Sequence, residues 1–150
     1  MMSKLKIFLS APISAFNDEK KYEDYRNLLF RLIIFLRENY DVYSEIEQIS
    51  GLSCYDEPGK SAMQDFQRIL ESNIFMLHHP ARMQTSALIE LGYAFAEGKK
   101  IILIGEPKNL PYLALGLAAS SSMVRIVSSS ELNNQILEEI MSAINDLESL

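Results

Sequence analysis

The stretch Ser86–Ile104, SALIELGYAFAEGKKIILI, carries a helix start, a helix stop and a buried strand in nineteen residues. Thr85 and Ser86 are residues that open helices, and an alanine-rich helix follows them. It ends at Gly98, and Ile101–Ile104 is an unbroken apolar run of strand length. Ala87, Gly92, Ala94 and Ala96 keep the helix slim enough to lie close on a sheet. Glu90 stands in or near the first turn, where the positive end of the helix dipole favours a carboxylate. The expectation is that Glu90 is ionised and, if chemistry happens here, acts as an anion.

Read outward from this unit, the chain alternates strand and helix. Leu5–Leu9 is a first strand leaving through Ser10-Ala11-Pro12-Ile13, and residues 19–38 form an amphipathic helix with Tyr22, Tyr25, Leu28, Leu29, Leu32, Ile33 and Leu36 inward. Asp41–Ser44 is a weaker second strand. Residues 45–60, with Gly51, Pro58 and Gly59, read as a long loop, a type that often carries function. Ser61 caps a helix to Leu70 whose inward residues are Met63, Phe66, Ile69 and Leu70. Asn73–Leu77 and Lys100–Ile104 are central strands, a short helix covers 112–118, Val124–Val127 is a fifth strand, and Glu131–Leu147 is a closing amphipathic helix. Continuous apolar strands separated by helices predict a parallel sheet covered on both faces. The fold class is therefore α/β: one domain over residues 1–150, a flavodoxin-like three-layer sandwich with strand order 2-1-3-4-5. Ligands of such sheets bind past the carboxyl ends of the strands, at the switch between strands 1 and 3. Ser10–Ser14, His78–Ser86 and the start of the Glu90 helix converge there, with Gly105–Asn109 at the edge.

Composition narrows the classes. A net charge of −6 with no Lys/Arg cluster excludes a nucleic acid polymer as partner but permits a single nucleotide, and the lack of basic residues in the crevice favours a ligand without phosphate. A lone Cys54 and the absence of zinc-type spacing predict a cytoplasmic chain with no metal and no cofactor. The N-terminal apolar run is too short for a signal peptide, and no run reaches the ~20 residues of a membrane span. No Gly-x-Gly-x-x-Gly, Walker or Gly-x-Ser-x-Gly motif occurs, which disfavours dinucleotide dehydrogenases, P-loop enzymes and α/β hydrolases. By themselves, Asp65 reads as a solvated helix acid, His78 and His79 as strand-exit histidines that either titrate or simply hydrogen-bond, and Arg82 as a phosphate ligand or an exposed cation. Ser10, Ser14, Thr85 and Ser86 read as donors or caps.

Three segments resemble the nucleoside 2-deoxyribosyltransferase family and its N-glycosidase relatives: Lys6–Ile13 (KIFLSAPI), Asp65–Ile74 (DFQRILESNI) and, most closely, Glu90–Lys99 (ELGYAFAEGK). The resemblance implies that Glu90 is the catalytic nucleophile and that Asp65 contacts substrate. Together with the segments that converge at the switch point, it gives an expected substrate pocket of Phe8, Ser10, Ala11, Pro12, Ile13, His78, His79, Gln84, Ser86 and Asn109. Asn109-Leu110 is similar to a segment that completes a neighbouring subunit's site, which implies a homodimer; the apolar helix 22–36 offers a surface for it. The chain departs from the family at Gln84, where an acid usually precedes the nucleophile by six residues, and at Phe8, where the family often has an aromatic hydroxyl.

The implied reaction is cleavage or transfer at the N-glycosidic bond of a nucleoside or nucleotide. A carboxylate under C1′ stabilises and traps the developing cation, while Asp65 or a histidine protonates the leaving base. Bacterial TIR-like NAD glycohydrolases share the sheet and its glutamate and form the alternative enzyme class. A nucleotide sensor that lost the reaction is the alternative that Gln84 supports.

Overall fold

A computed structural model describes residues 3–129 and 131–150; Met1 and Met2, where the N-terminal run begins, lie outside them. Five strands, β1 (Lys6–Ser10), β2 (Asp41–Tyr43), β3 (Ile74–His78), β4 (Lys100–Ile104) and β5 (Val124–Val127), form one parallel sheet in the order β2-β1-β3-β4-β5. The helices between and after them are α1 (Glu19–Arg37), α2 (Pro58–Glu71), α3 (Ala87–Ala96), α4 (Tyr112–Ser120) and α5 (Asn134–Glu148). No helix among the described residues is long and apolar enough to cross a membrane.

Strand alternation sorts the core into two layers. Ile7 and Leu9, Ile74 and Met76, and Ile102 and Ile104 point to one face and pack with α1 and α5. Phe8, Phe75 and Leu77, and Ile101 and Leu103 point to the other and pack with α2, α3 and α4. The chain thus crosses from one face to the other between β1 and β3, so α3 leaves β3 on the face opposite α1.

Element boundaries shift where local chemistry overrides the apolar pattern. α2 begins at Pro58, not at Ser61, because proline's fixed φ suits the first helical position; Ser61 caps nothing. Its inward stripe is Asp65 and Ile69, with Phe66 stacked on Tyr93 at 4.5 Å, whereas Met63 and Leu70 are 70% and 42% exposed. The expectation that Met63 and Leu70 face inward is overturned, and the helix turns a carboxylate toward the sheet instead. α5 is capped by the Asn133 side chain, which accepts from the Ile136 amide. Gly98, at φ +72°, ends α3 in the left-handed conformation that favours glycine.

The exits of β3 and β4 are pressed together. The His79 amide donates to the Ile104 carbonyl at 2.8 Å, and a Cβ at Gly105 would stand 2.5 Å from the His79 carbonyl oxygen. Backbone meets backbone there, so neither side can yield cheaply. Gly105→Ala is expected to cost about 1–3 kcal/mol in urea unfolding, while Gly116→Ala, which meets open space in a helix, is neutral or slightly stabilising.

Candidate active site

Ser10 closes β1 on the same face as Phe8, and its hydroxyl donates to Glu90 Oε1 at 2.8 Å. One hydrogen bond therefore ties the end of β1 to the first turn of α3. Beside it, Ser14 Oγ accepts from the Ser86 amide at 3.1 Å and Thr85 Oγ1 from the Ala87 amide at 3.2 Å, so these hydroxyls cap α3 while the Ser86 side chain does not.

Glu90 is not alone. Glu45, from a short 3₁₀ turn at Glu45–Glu47, and Asp65, from α2, bring one carboxylate oxygen each to within 4.8 Å of one from Glu90 and of one another. The three border a cavity of about 490 Å³ at the switch point, whose other walls include Ala11, Ile13 and Ser14, Tyr55, Phe66, and Ser86 and Ile89. By spacing, these carboxyls are the group among the described residues that could grip a divalent cation.

Burial dominates their electrostatics. It pushes the Glu45 carboxyl up to about 8, reinforced by the hydrogen bond and charge of Asp65. It raises Asp65 to about 7, reinforced by the charge of Glu90. It raises Glu90 to about 7, against the pull of the Ser10 hydroxyl. The helix-dipole expectation for Glu90 is therefore corrected. A dipole worth about 0.3–1 kcal/mol is less than one pKa unit and cannot offset desolvation and the charge of Glu45. With no positive side chain lining the cavity, the cluster shares protons near neutral pH.

The structure brings together Glu90, Asp65, Ser10, Ala11, Ile13 and Ser86 from the expected site. It separates the others. Phe8 is 1% exposed, stacked on Phe75 at 5.7 Å, and belongs to the core beneath the cavity. Pro12 is buried where it turns the chain and does not line the hollow. His78 shares parity with Ile74 and Met76, so it points to the α1 face; its Nδ1 meets the Tyr25 hydroxyl at 2.7 Å, and burial lowers it to about 4. His79, Gln84 and Asn109 line a different cleft of about 510 Å³ with Arg82 and Tyr112, because the loops after β3 and β4 lean on each other there. Arg82 Nε donates to the Lys108 carbonyl at 3.0 Å in the same place.

Sequence reading missed Glu45. Its signal was positional: it follows β2 directly, and β2 adjoins β1, so it stands at the carboxyl edge of the sheet. The hydroxyl absent at Phe8 stands one strand over. Tyr43 pairs in register with Phe8, and its phenol is raised to about 12, first by burial and then by the charges of Asp65 and Glu45.

A five-stranded parallel sheet of this order, with carboxylates gathered at the switch point, defines a class: α/β proteins whose site is acidic and enclosed. Among solved structures the chain is similar to the Clostridium botulinum CMP N-glycosidase BcmB, at 25% identity over 91% of this chain and 98% of that one, with a TM-score of 0.65. It is also similar to BlsM (17% identity, 97% and 95% covered, TM-score 0.76) and to a conserved protein from Enterococcus faecalis V583 (19%, 93% and 99%, 0.57). No protein-family model matches, and no curated protein matches in sequence.

Carboxyls whose folded pKa lies above the ordinary 3.8–4.5 hold protons that the unfolded chain has already released. Their contribution is complete below that range and is lost as pH rises toward 7–8. His78 works in the opposite sense, losing stability as pH falls from 6.5 toward 4, but it is common to wild type and to a carboxyl variant. The difference between Asp65→Asn and wild type therefore isolates the cluster. The variant is expected to gain on wild type between pH 5 and pH 8, reaching about 2–6 °C in Tm at pH 8. A difference constant across that range contradicts the shared-proton cluster.

Proposed function

We propose that this chain cleaves or transfers at the N-glycosidic bond of a nucleoside or nucleotide, with Glu90 as the nucleophile. The observation that carries this reading is the Glu90 carboxyl, held by Ser10 at 2.8 Å and opening on a 490 Å³ hollow at the switch point. The similarity to a CMP N-glycosidase over nearly the whole of both chains supports the same reaction class.

As the C1′–N bond lengthens, positive charge grows on the sugar. A Glu90 oxygen beneath C1′ stabilises that charge and bonds to the carbon, while the bonding pair leaves with the base. Ser10 keeps the carboxylate aimed and favours its anionic form. Asp65, within hydrogen-bonding reach of Glu90, contacts the sugar beside it. Water or a second base then releases the glycosyl group. His78, buried on the opposite face, and His79, in the other cleft, take no part. Gln84 faces that other cleft too, so its lack of charge does not argue for a silent sensor.

A homodimer belongs to this reading. Apart from Ile34, the apolar residues of α1 are turned into the core or partly covered, so α1 does not offer the expected surface; Met63, Ile89, Tyr112 and Leu113 on α2, α3 and α4 are exposed and do. Leu113→Glu is expected to shift sedimentation toward monomer, and an unchanged oligomer removes this face from the reading.

The main test measures base release by chromatography from nucleosides, nucleoside monophosphates and NAD side by side. Glu90→Gln and Glu90→Ala are expected to lose at least ~10³-fold in turnover with unchanged folding, and wild type to form a glycosyl ester detectable by mass after rapid quench. Full activity in either variant overturns Glu90, and release of nicotinamide alone moves the chain to the NAD glycohydrolases.

A further inference from the structure

The reaction proposed above needs an acid for the departing base, and the histidines expected to supply it lie elsewhere. We infer that Glu45 is that acid: it protonates the leaving base and afterwards takes the proton of the attacking water. This rests on the glycosidic reading of Glu90 and assigns a role to a carboxyl outside the expected site.

The first argument is division of labour within the cluster. One carboxyl must be anionic to attack and another must hold a proton, and environments that differ between close acids decide which is which. Only Glu90 has a hydroxyl donor, Ser10 at 2.8 Å, and only Glu90 lies in the first turn of an α-helix long enough to carry a dipole; Glu45 sits on a three-residue 3₁₀ turn. The negative charge therefore settles on Glu90. Asp65 lies between the other two, in contact with both. In the hydrogen bond between Glu45 and Asp65 the proton sits on Glu45: the contact raises Glu45 and lowers Asp65.

The second argument is access. Glu45 borders both the 490 Å³ hollow and an adjoining polar cavity of about 290 Å³, which shares Tyr55, Asp56 and Ser61 with it and extends to Gln48 and Gln64. With a sugar over Glu90, Glu45 can still exchange protons through that second opening. Asp65 and Glu90 border only the first.

The third argument is scaffolding. The turn that carries Glu45 is held with more bonds than a solvated loop acid needs. Ser44 Oγ donates to the Leu9 carbonyl at 2.8 Å, Arg26 donates to the Ile46 and Glu47 carbonyls at 3.0 Å each, and Arg37 grips both oxygens of Glu47 at 2.8 and 2.5 Å. Ile46 is fully buried beneath it. Strand β2 and helix α1 thus position one carboxyl at the rim.

The steps balance. In the first, the C1′–N bond breaks with its pair going to the base, a Glu90 oxygen bonds to C1′, and the Glu45 proton passes to a nitrogen or carbonyl oxygen of the base. In the second, water oxygen bonds to C1′, the ester bond to Glu90 breaks, and the water proton returns to Glu45. The ionisable groups around Glu45 are Asp65 and Glu90, Asp56 on the loop before α2, the Cys54 thiol in the smaller cavity, and the phenols of Tyr22, Tyr43 and Tyr55; no lysine or arginine lines either cavity it borders.

The test compares Glu45→Gln, Asp65→Asn and Glu90→Gln in the full chain on two kinds of substrate. One kind is a natural nucleoside or monophosphate that wild type turns over. The other has a leaving group that departs without a proton, 7-methylguanosine or p-nitrophenyl β-D-ribofuranoside. Glu45→Gln is expected to lose about 10²-fold or more in kcat on the natural substrate, to stay within about threefold of wild type on an activated one, and to lose the basic limb of its kcat/KM profile. Glu90→Gln is expected to fail on both kinds. Equal losses on both kinds, a retained basic limb, or leaving-group dependence in Asp65→Asn but not in Glu45→Gln each overturns the assignment while leaving Glu90 intact. Base release that survives in Glu90→Gln overturns the glycosidic reading itself, and a wild type that releases no base removes both.

Discussion

A hydrogen bond of 2.8 Å from Ser10 to Glu90 joins residues eighty positions apart and sits where the strand order reverses, between β1 and β3. β1 sends its connection to one face and β3 to the other, so nothing but side chains can close the gap between their carboxyl ends. The bond does that, and it also breaks the symmetry among three acids. Without that donor, the preference for negative charge at Glu90 over its two acidic neighbours would be weaker.

Gathering three carboxyls within 4.8 Å of one another with no facing cation is unfavourable, and the surrounding structure offsets it. The arginines that could have neutralised the cluster are used as braces. Arg26 and Arg37 hold the backbone and side chain of the turn behind Glu45, and Arg68 lies over the Tyr43 ring at 5.0 Å. Positive charge thus shapes the wall from outside while the hollow stays acidic. A hollow lined by carboxyls that exchange protons near neutral pH can hold negative charge on one of them and a proton on another.

The two faces of the sheet have different duties. On the α1 and α5 side, His78 and Tyr25 form a buried polar pair inside an otherwise apolar layer, and burial keeps the imidazole neutral. On the α2 and α3 side, the strand ends give way to serine, small residues and carboxyls. Adjacent residues on one strand fall on opposite sides of this division, which is why His78 follows Leu77 in the chain without sharing its surroundings.

The architecture was legible in the sequence because burial on both faces leaves a one-dimensional signature: β1, β3 and β4 carry apolar runs, β5 is one interrupted only by Arg125, and α1 and α5 repeat every three to four residues. Glu90 was legible too, through its place after the third strand and the resemblance around it. Three things were decided only by tertiary packing. The face of α2 was set by Ile69 and Phe66 packing against the sheet and α3, which turns Asp65, one turn before Ile69, inward. The protonation of Glu90 depended on neighbours from β2 and α2 that its own helix could not reveal. Glu45 looked like a loop residue, since local sequence records neither which strand ends lie side by side nor what shields them from water. Periodicity reports how each segment meets a core; which charges then meet each other is set by the order in which the strands pair.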